Sequence, residues 1–272
     1  MTQPCVSEPS RVGLFKKAVA GVASAVIAVA ATNVSAEASD AVPGFCNDRV
    51  QTILNTALMG ERLAATFYYG ALTSPELMRH RALGGSSANP NDPGTPPDGQ
   101  PSNVHYLQAA LDAELKHARL LVDAGAQSSF GRFYFPASAF QNLGSSTQLS
   151  SFLGVQSAIE LMLGGVYADA VSQFTTLNRP DLAVLAARTM GVEAEHRVLG
   201  RVIGGVTPPN DLTLESAPLA CVSDAAMIMA AFLTGTGWRF PVTATRALPL
   251  PTAAQAAAVI GRYSTRLVTS FL

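Results

Sequence analysis

The sequence predicts an all-α protein built on a four-helix bundle. Four stretches, at residues 48–73, 103–124, 148–177 and 181–204, carry apolar residues at alternating spacings of three and four, which is the period of one helix face. Each stretch has a glutamate on that apolar face, and two of the glutamates are followed three residues later by a histidine. A charged carboxylate left unpaired among apolar side chains is strongly destabilising. The repetition therefore predicts one shared site inside the bundle.

The six polar residues on these faces have the composition of a dinuclear metal site. They are Glu61, Glu114, His117, Glu160, Glu193 and His196. On a helix, a glutamate and a histidine three residues apart leave the same side and can bind one metal ion. The four apolar faces contain no lysine or arginine, whereas two divalent cations would bring four positive charges to four carboxylates. We therefore predict that these residues are metal ligands rather than polar residues of an ordinary core.

The segments between the four stretches predict the order in which the helices pack. Residues 126–147 are rich in aromatic side chains without helical spacing. At about 3.3 Å per extended residue, such a segment can run the length of a helix. We predict a long crossover between helices 2 and 3, which makes these two helices parallel. Asn178 and Pro180 predict a tight turn between helices 3 and 4, and the Gly- and Pro-rich stretch at 74–103 predicts an exposed loop.

The chain divides into four predicted regions. Residues 1–36 have a basic start, an uncharged apolar run and the small residues Val34, Ser35 and Ala36, which are typical of a signal peptide. An uncleaved membrane anchor is less favoured because the apolar run is shorter than the roughly 20 residues of a spanning helix. The segment 10–17 is similar to a twin-arginine signal with one arginine missing, so the export route stays open. We predict an extracytoplasmic protein, in the periplasm, the cell envelope or the medium, with no stable membrane span after cleavage.

Beyond the signal peptide, we predict an N-terminal lead-in at 37–47, the bundle at 48–205 and an extension at 206–272. The extension has a helical pattern at 223–234, an aromatic loop, and an Ala-rich C-terminal stretch after a proline-punctuated segment. We expect its helices to be accessory elements that pack on the bundle.

Two cysteines remain after removal of residues 1–36, because Cys5 leaves with the signal peptide. They are Cys46 and Cys221, which flank the four predicted helices. Two remaining thiols commonly pair in an oxidising compartment, so a disulfide would tie the start of the bundle to its end. Two unpaired thiols are the alternative.

The overall composition is that of one globular domain. The chain has 272 residues, of which 48% are hydrophobic and 14% charged, with a formal charge of −1. No basic run follows the N-terminal region, and no pattern interleaves aromatic with basic residues. We therefore predict no nucleic-acid partner. The oligomeric state is not predicted.

The chain resembles ferritin-like four-helix bundle proteins, in particular the exported ferritin-like and desiccation-related proteins. The residues that carry the resemblance are 53–61 with Phe67 and Tyr68, 107–114 with His117, and Glu193 with His196. The resemblance implies that Glu114 and Glu193 bridge two metals. It also implies that Glu61 with His117 and Glu160 with His196 complete the two coordination spheres, although the pairing of each terminal glutamate with a histidine requires the structure.

The ligand types favour two iron ions, with manganese as the alternative. An oxygen-rich pair of redox metals supports chemistry on O₂ or peroxide, so we expect oxidation of Fe²⁺ or consumption of peroxide in stress defence. A non-catalytic, metal-stabilised structural protein of the cell envelope and a manganese catalase are the alternatives.

Three further residues are predicted near the ligands. Tyr68 and Tyr167 follow Glu61 and Glu160 by seven residues, so they either donate hydrogen bonds to the ligands or belong to the core. Glu195 points away from the face of Glu193 and is either a hydrogen-bonding partner of a ligand or a solvated residue.

Overall fold

The computed structural model of the protein describes residues 46, 48–78, 80–83, 103–141, 149–206, 209, 219–238 and 240–268. The predicted signal peptide, and all of the lead-in except Cys46, lie outside these residues. Within them, four long helices form a bundle, and the prediction of an all-α fold is confirmed. The helices are α1 (Val50–Leu72), α2 (Asn103–Asp123), α3 (Leu149–Thr176) and α4 (Pro180–Ile203).

The ends of the four helices lie within two residues of the predicted ends because local signals set them. Gly125 has a φ of 101° and follows α2, where a left-handed glycine closes a helix. Asn178 has a φ of 55° and makes the turn between α3 and α4. Pro180 then occupies the first position of α4, where the missing N–H is not needed.

The packing of the bundle gives α2 and α3 the same direction. α1 packs along α2, α3 packs along α4, and α1 also contacts α3. At one end of the bundle, Leu54 of α1, Leu121 of α2, Phe174 of α3 and Leu182 of α4 line one apolar cavity. Since α1 and α4 begin at this end and α2 and α3 finish there, α2 and α3 are parallel. This is the arrangement that the predicted long crossover requires.

The crossover contains a β-strand that the sequence analysis missed. Strand β1 (Arg132–Pro136) pairs antiparallel with β2 (Thr245–Pro249), in the register Tyr134 opposite Ala247. Phe133 and Phe135 are fully buried on one face of β1, and the Phe135 ring lies 5.7 Å from that of Phe67 in α1. The alternation of the aromatic residues was visible in the sequence, but the partner strand is more than 100 residues away.

The predicted loop at 74–103 also contains short helical elements where it is described. A helical turn forms at Pro75–Met78, followed by a 3₁₀ turn at Arg81–Leu83. The Ser74 hydroxyl accepts a hydrogen bond from the Leu77 amide at 3.3 Å and so caps the first turn. The prediction of loop throughout was wrong here because it gave no weight to the Ser-Pro-Glu signal at 74–76. Residues 84–102 lie outside the described part of the chain.

The C-terminal extension packs on the bundle through α5 (Ala225–Thr234) and α6 (Ala253–Val268). α6 contacts α2, where the Gln108 side-chain amide donates a hydrogen bond to the Val259 carbonyl at 2.7 Å. Cys46 and Cys221 form a disulfide with a Cα–Cα distance of 5.5 Å. The bundle is therefore covalently closed between its start and the turn that precedes α5.

α3 is the one described helix that is long and apolar enough, by length and composition, to cross a membrane. Of its most apolar window, 67% is buried inside the protein. That burial is what a central core helix of a bundle shows.

Candidate metal centre

The structure brings the six predicted ligands together inside the bundle. The four glutamates have no exposed surface, and His117 and His196 are 8% and 7% exposed. One glutamate comes from each of α1 and α3, and one Glu-x-x-His pair comes from each of α2 and α4. All four helices therefore position the cluster, and each does so with residues on its own buried face.

The six side chains form two groups that share two members. Glu61 and His117 form one group with Glu114 and Glu193, and the ligand atoms of this group all lie within 4.8 Å of one another. The second group combines the same Glu114 and Glu193 with Glu160 and His196, within the same distance. The question of which terminal glutamate joins which histidine is thereby answered: Glu61 lies with His117, and Glu160 lies with His196.

Each imidazole faces the shared glutamate of the opposite Glu-x-x-His helix most closely. The His117 Nδ1 atom lies 3.1 Å from Glu193 Oε1 and 3.8 Å from Glu114 Oε2. The His196 Nδ1 atom lies 2.8 Å from Glu114 Oε1 and 3.4 Å from Glu193 Oε2. The two shared carboxylates thus lie between the two imidazoles, as two bridging ligands must.

Tyr68 and Tyr167 donate hydrogen bonds to the terminal glutamates across the bundle. The Tyr68 hydroxyl donates to Glu160 Oε1 at 2.5 Å, and the Tyr167 hydroxyl donates to Glu61 Oε1. Sequence spacing placed each tyrosine on the face of the glutamate of its own helix. Because α1 and α3 are antiparallel, the tyrosine two turns further along one helix reaches the glutamate of the other.

The hydrogen-bonding state of these atoms fits two cations. The tyrosines occupy Oε1 of Glu61 and of Glu160, so each terminal glutamate has one oxygen without a hydrogen-bond partner. Both oxygens of Glu114 and of Glu193, and Nδ1 of His117 and of His196, have no hydrogen-bond partner outside the cluster. Buried polar atoms without partners are strongly unfavourable in a folded protein. These eight atoms would give four ligands to each of two divalent ions, in the pattern of two bridging and two terminal carboxylates.

Close packing of carboxylates and imidazoles shifts the proton affinities of the cluster. Burial, followed by the charges of Glu193 and Glu114, holds the pKa of Glu61 well above that of an ordinary glutamate. Burial and the charge of Glu114 have the same effect on the pKa of Glu160. Burial alone would lower the pKa of His117, but the Glu61, Glu114 and Glu193 carboxylates raise it to about 12. Without metal, the cluster therefore holds protons that bound cations would replace.

Glu195 does not take part in the site. Its side chain is exposed. Two residues along a helix correspond to a rotation of about 200°, so a residue two positions after the buried Glu193 points to solvent. The prediction of a hydrogen-bonding partner is wrong, and its alternative, a solvated residue, describes the structure.

Gln156 is the site-forming residue that the sequence analysis missed. It is 1% exposed, and its side-chain amide donates to the Tyr68 hydroxyl at 3.2 Å and to the His196 carbonyl at 2.7 Å. A polar residue one turn before Glu160 on the same apolar face was the available signal. It was not used because an amide carries no charge that demands a partner.

The comparisons with known proteins agree with this architecture. The sequence profile of the family described as the ferritin-like domain matches residues 49–205, which is more than half of the chain. Comparison with curated proteins found no significant match, and the same holds for solved structures. The family match rests on the four helices that hold the cluster. We conclude that the chain belongs to the ferritin-like domain family.

Proposed function

We propose that this protein is an exported dinuclear iron protein that oxidises Fe²⁺ with O₂ or peroxide as the electron acceptor. The observation that carries the proposal is the set of eight buried ligand atoms, drawn from four carboxylates and two imidazoles, that face one another without a hydrogen-bond partner outside the cluster. Oxygen and imidazole ligands suit iron and manganese, which can both cycle between oxidation states. Bound in this cluster, a pair of such ions would supply electron transfer between Fe²⁺ and the oxidant.

The residues of the chain have distinct parts in this proposal. One ion would be held by Glu61 and His117, the other by Glu160 and His196, and both by the shared Glu114 and Glu193. These contacts follow from the two groups within 4.8 Å.

The tyrosines would fix the orientation of the terminal carboxylates. Tyr68 holds its proton against Glu160 Oε1, and Tyr167 does the same at Glu61 Oε1. Burial, with the charges of the neighbouring carboxylates, raises the pKa of both phenols well above that of an ordinary tyrosine. The hydroxyls therefore stay protonated, and the second oxygen of each carboxylate is left for a cation.

An extracytoplasmic location and a role in stress defence are part of the proposal. The location is supported by the signal-like sequence at 1–36 and by the disulfide between Cys46 and Cys221, since structural disulfides form in oxidising compartments. The role in stress or desiccation is supported by the resemblance described above.

A metal-stabilised structural protein is the second candidate. It is favoured by the origin of the ligands, because ions held by all four helices would tie the bundle together whether or not they react. A manganese catalase is the third candidate, since the same ligand set suits manganese. It would show disproportionation of peroxide by the manganese-loaded protein.

Oxidation of Fe²⁺ separates these candidates. The metal-free protein is loaded with Fe²⁺ without oxygen and then mixed with O₂ or peroxide, while the absorbance of Fe³⁺ is followed. We expect oxidation faster than in buffer, with loss of the catalysed rate in Glu114→Ala because both ions lose a ligand. Glu195→Ala is the matched control, since it removes an exposed glutamate from the same helix as Glu193 and should keep the wild-type rate.

A rate no faster than in buffer would contradict the proposal, as would full activity in Glu114→Ala. Two bound ions without oxidation would favour the structural candidate.

A further inference from the structure

The two ligand groups are related by an internal repeat, but their surroundings differ. α1 corresponds to α3, and α2 to α4: each candidate ligand, and each tyrosine that bonds to one, has a counterpart at the same spacing in the other pair of helices. One helical turn before the terminal glutamate, however, α3 has Gln156 and α1 has Ala57. One turn after the histidine, α4 has Gly200 and α2 has Leu121. Because the two helices of each pair are antiparallel, the two differing residues of a pair lie toward the same end of the bundle from their ligands.

Gln156 connects three elements of the Glu160 group by hydrogen bonds. Its Nε2 atom donates to the His196 carbonyl at 2.7 Å and to the Tyr68 hydroxyl at 3.2 Å. Because the hydroxyl oxygen accepts from the amide, the hydroxyl proton is directed to Glu160 Oε1, at 2.5 Å. The chain of contacts fixes the carboxylate of Glu160 and the backbone of His196 relative to each other.

Gly200 provides the space that the Gln156 amide occupies. A Cβ atom at Gly200 would lie 2.0 Å from Gln156 Oε1 and 2.8 Å from its amide carbon. Neither distance is compatible with an unmoved glutamine side chain. The glycine and the glutamine thus form a matched pair at the contact of α3 with α4.

The Glu61 group has apolar residues at the corresponding positions. Ala57 and Leu121 both line the apolar cavity at the end of the bundle, and Tyr167 lines it too. Alanine offers no side-chain donor to the Tyr167 hydroxyl, and the leucine that takes the place of Gly200 is apolar as well. The Tyr167 side chain therefore borders an apolar cavity, whereas the Tyr68 hydroxyl accepts a hydrogen bond from an amide.

We propose that Gln156 makes the two metal positions unequal. The position of Glu160 and His196 binds its divalent cation first and more tightly, because ligands already fixed by outer hydrogen bonds lose less freedom on binding. The position of Glu61 and His117 binds second, more weakly, and exchanges its ion. Gln156 is thus a positioning residue that separates a resident ion from an exchanging one. The inference rests on the metal site of the proposed function and does not require turnover.

Titration of the metal-free protein with Co²⁺ alone tests this inference, with calorimetry and the visible absorption of Co²⁺ as readouts. We expect two separate binding steps in the wild type. Gln156→Met keeps most of the side-chain volume and removes the donors, and it should weaken the tighter step about 10- to 100-fold. The weaker step should change by less than about threefold. Gln108→Met is the matched control, since it removes another buried glutamine that bonds to α6, outside the cluster.

Two further variants assign the steps to positions. His117→Ala should keep the tighter step and His196→Ala should lose it. The double variant Gln156→Ala/Gly200→Leu gives the Glu160 group the side chains of the other half, and it should bring the two affinities together.

The inference is overturned if Gln156→Met weakens both steps equally or neither, if the wild type binds two Co²⁺ ions with one affinity, or if His117→Ala removes the tighter step. Thermal unfolding of each variant checks that it is folded. If the wild-type protein binds no Co²⁺, both the proposed function and the inference are contradicted. Two unequal steps without Fe²⁺ oxidation would contradict the proposed function and leave the inference standing.

Discussion

The α1–α2 and α3–α4 halves of the bundle carry the same ligands at the same spacing but differ one helical turn away from them. The first half combines a small side chain with a large one, Ala57 with Leu121. The second combines the large side chain of Gln156 with Gly200, which has no side chain. The first combination lines an apolar cavity, and only the second places a hydrogen-bond donor beside the tyrosine. Two halves of a bundle can thus carry the same charged ligands while the neighbouring side chains determine how firmly each set of ligands is held.

Removal of metal should have the largest effect, because in the proposed site the two shared glutamates would join the halves through the bound ions. A cation that binds only the folded state at a thousandfold excess over its Kd adds about 4 kcal/mol to the free energy of unfolding. For a chain of this size we expect the melting temperature to rise by about 10 °C with Mn²⁺ relative to chelator. Differential scanning calorimetry measures the change.

Glu114→Ala/Glu193→Ala is the control for this experiment. It removes both carboxylates that the two ligand groups share, so its melting temperature should not respond to Mn²⁺. An equal melting temperature of the wild-type protein in Mn²⁺ and in chelator would show that the ions do not join the halves.

The pH dependence of metal binding should be the same in both halves, because their candidate ligands match. The carboxylates raise the pKa of His117 to about 12, and they also raise the pKa of His196 well above its usual value, against the effect of burial. Both imidazoles are therefore in the charged imidazolium form at neutral pH. Each cation displaces the additional proton. Since protons compete with the cation, affinity should fall about tenfold per proton for each unit by which pH decreases between 8 and 6.

Calorimetric titration with Mn²⁺ in buffers of different ionisation enthalpy counts the protons released. At least one proton per ion is expected at each step. Binding that does not depend on pH in this range would contradict the described proton distribution, and unequal release would show that the halves differ in charge as well as in hydrogen bonding.

The smallest expected difference between the halves is in the free energy of unfolding that each tyrosine hydroxyl contributes. Tyr167→Phe removes one hydrogen bond, to Glu61, and should lower the free energy of unfolding of the metal-free protein by about 1 kcal/mol. Tyr68→Phe also takes an acceptor from the buried Gln156 amide and should cost about 2 kcal/mol. Urea unfolding in chelator measures both values. Equal losses, or a larger loss in Tyr167→Phe, would show that Gln156 does not distinguish the halves.

The bundle was predictable because its signals are local. Apolar periodicity located α1 to α4, and Gly125, Asn178 and Pro180 marked their ends. The six polar residues were identified for the same reason: a glutamate on an apolar face stands out without knowledge of its neighbours. Their convergence, with Glu114 and Glu193 common to both groups, follows once the four faces meet in one core.

The β-strands and Gln156 escaped prediction because their partners are distant in sequence. Strand β1 pairs with a segment that follows the entire bundle, and pairing over such a separation leaves no local pattern in β2, which is mostly exposed. Gln156 bonds to a tyrosine of α1 and a carbonyl of α4. An uncharged amide at a buried position looks like a minor irregularity until these acceptors are known.

The sequence by itself determined which residues face the interior of the bundle, because helical spacing dictates the face and an apolar face dictates burial. It also determined the charge of the candidate site, since four carboxylates on such faces require cations or protons. Only the tertiary structure decided that Glu61 lies with His117, that each tyrosine bonds to the glutamate of the opposite helix, and that one half has an amide where the other has a cavity. Those features depend on the direction and contact of helices far apart in sequence, and the spacing within one helix carries no information about them.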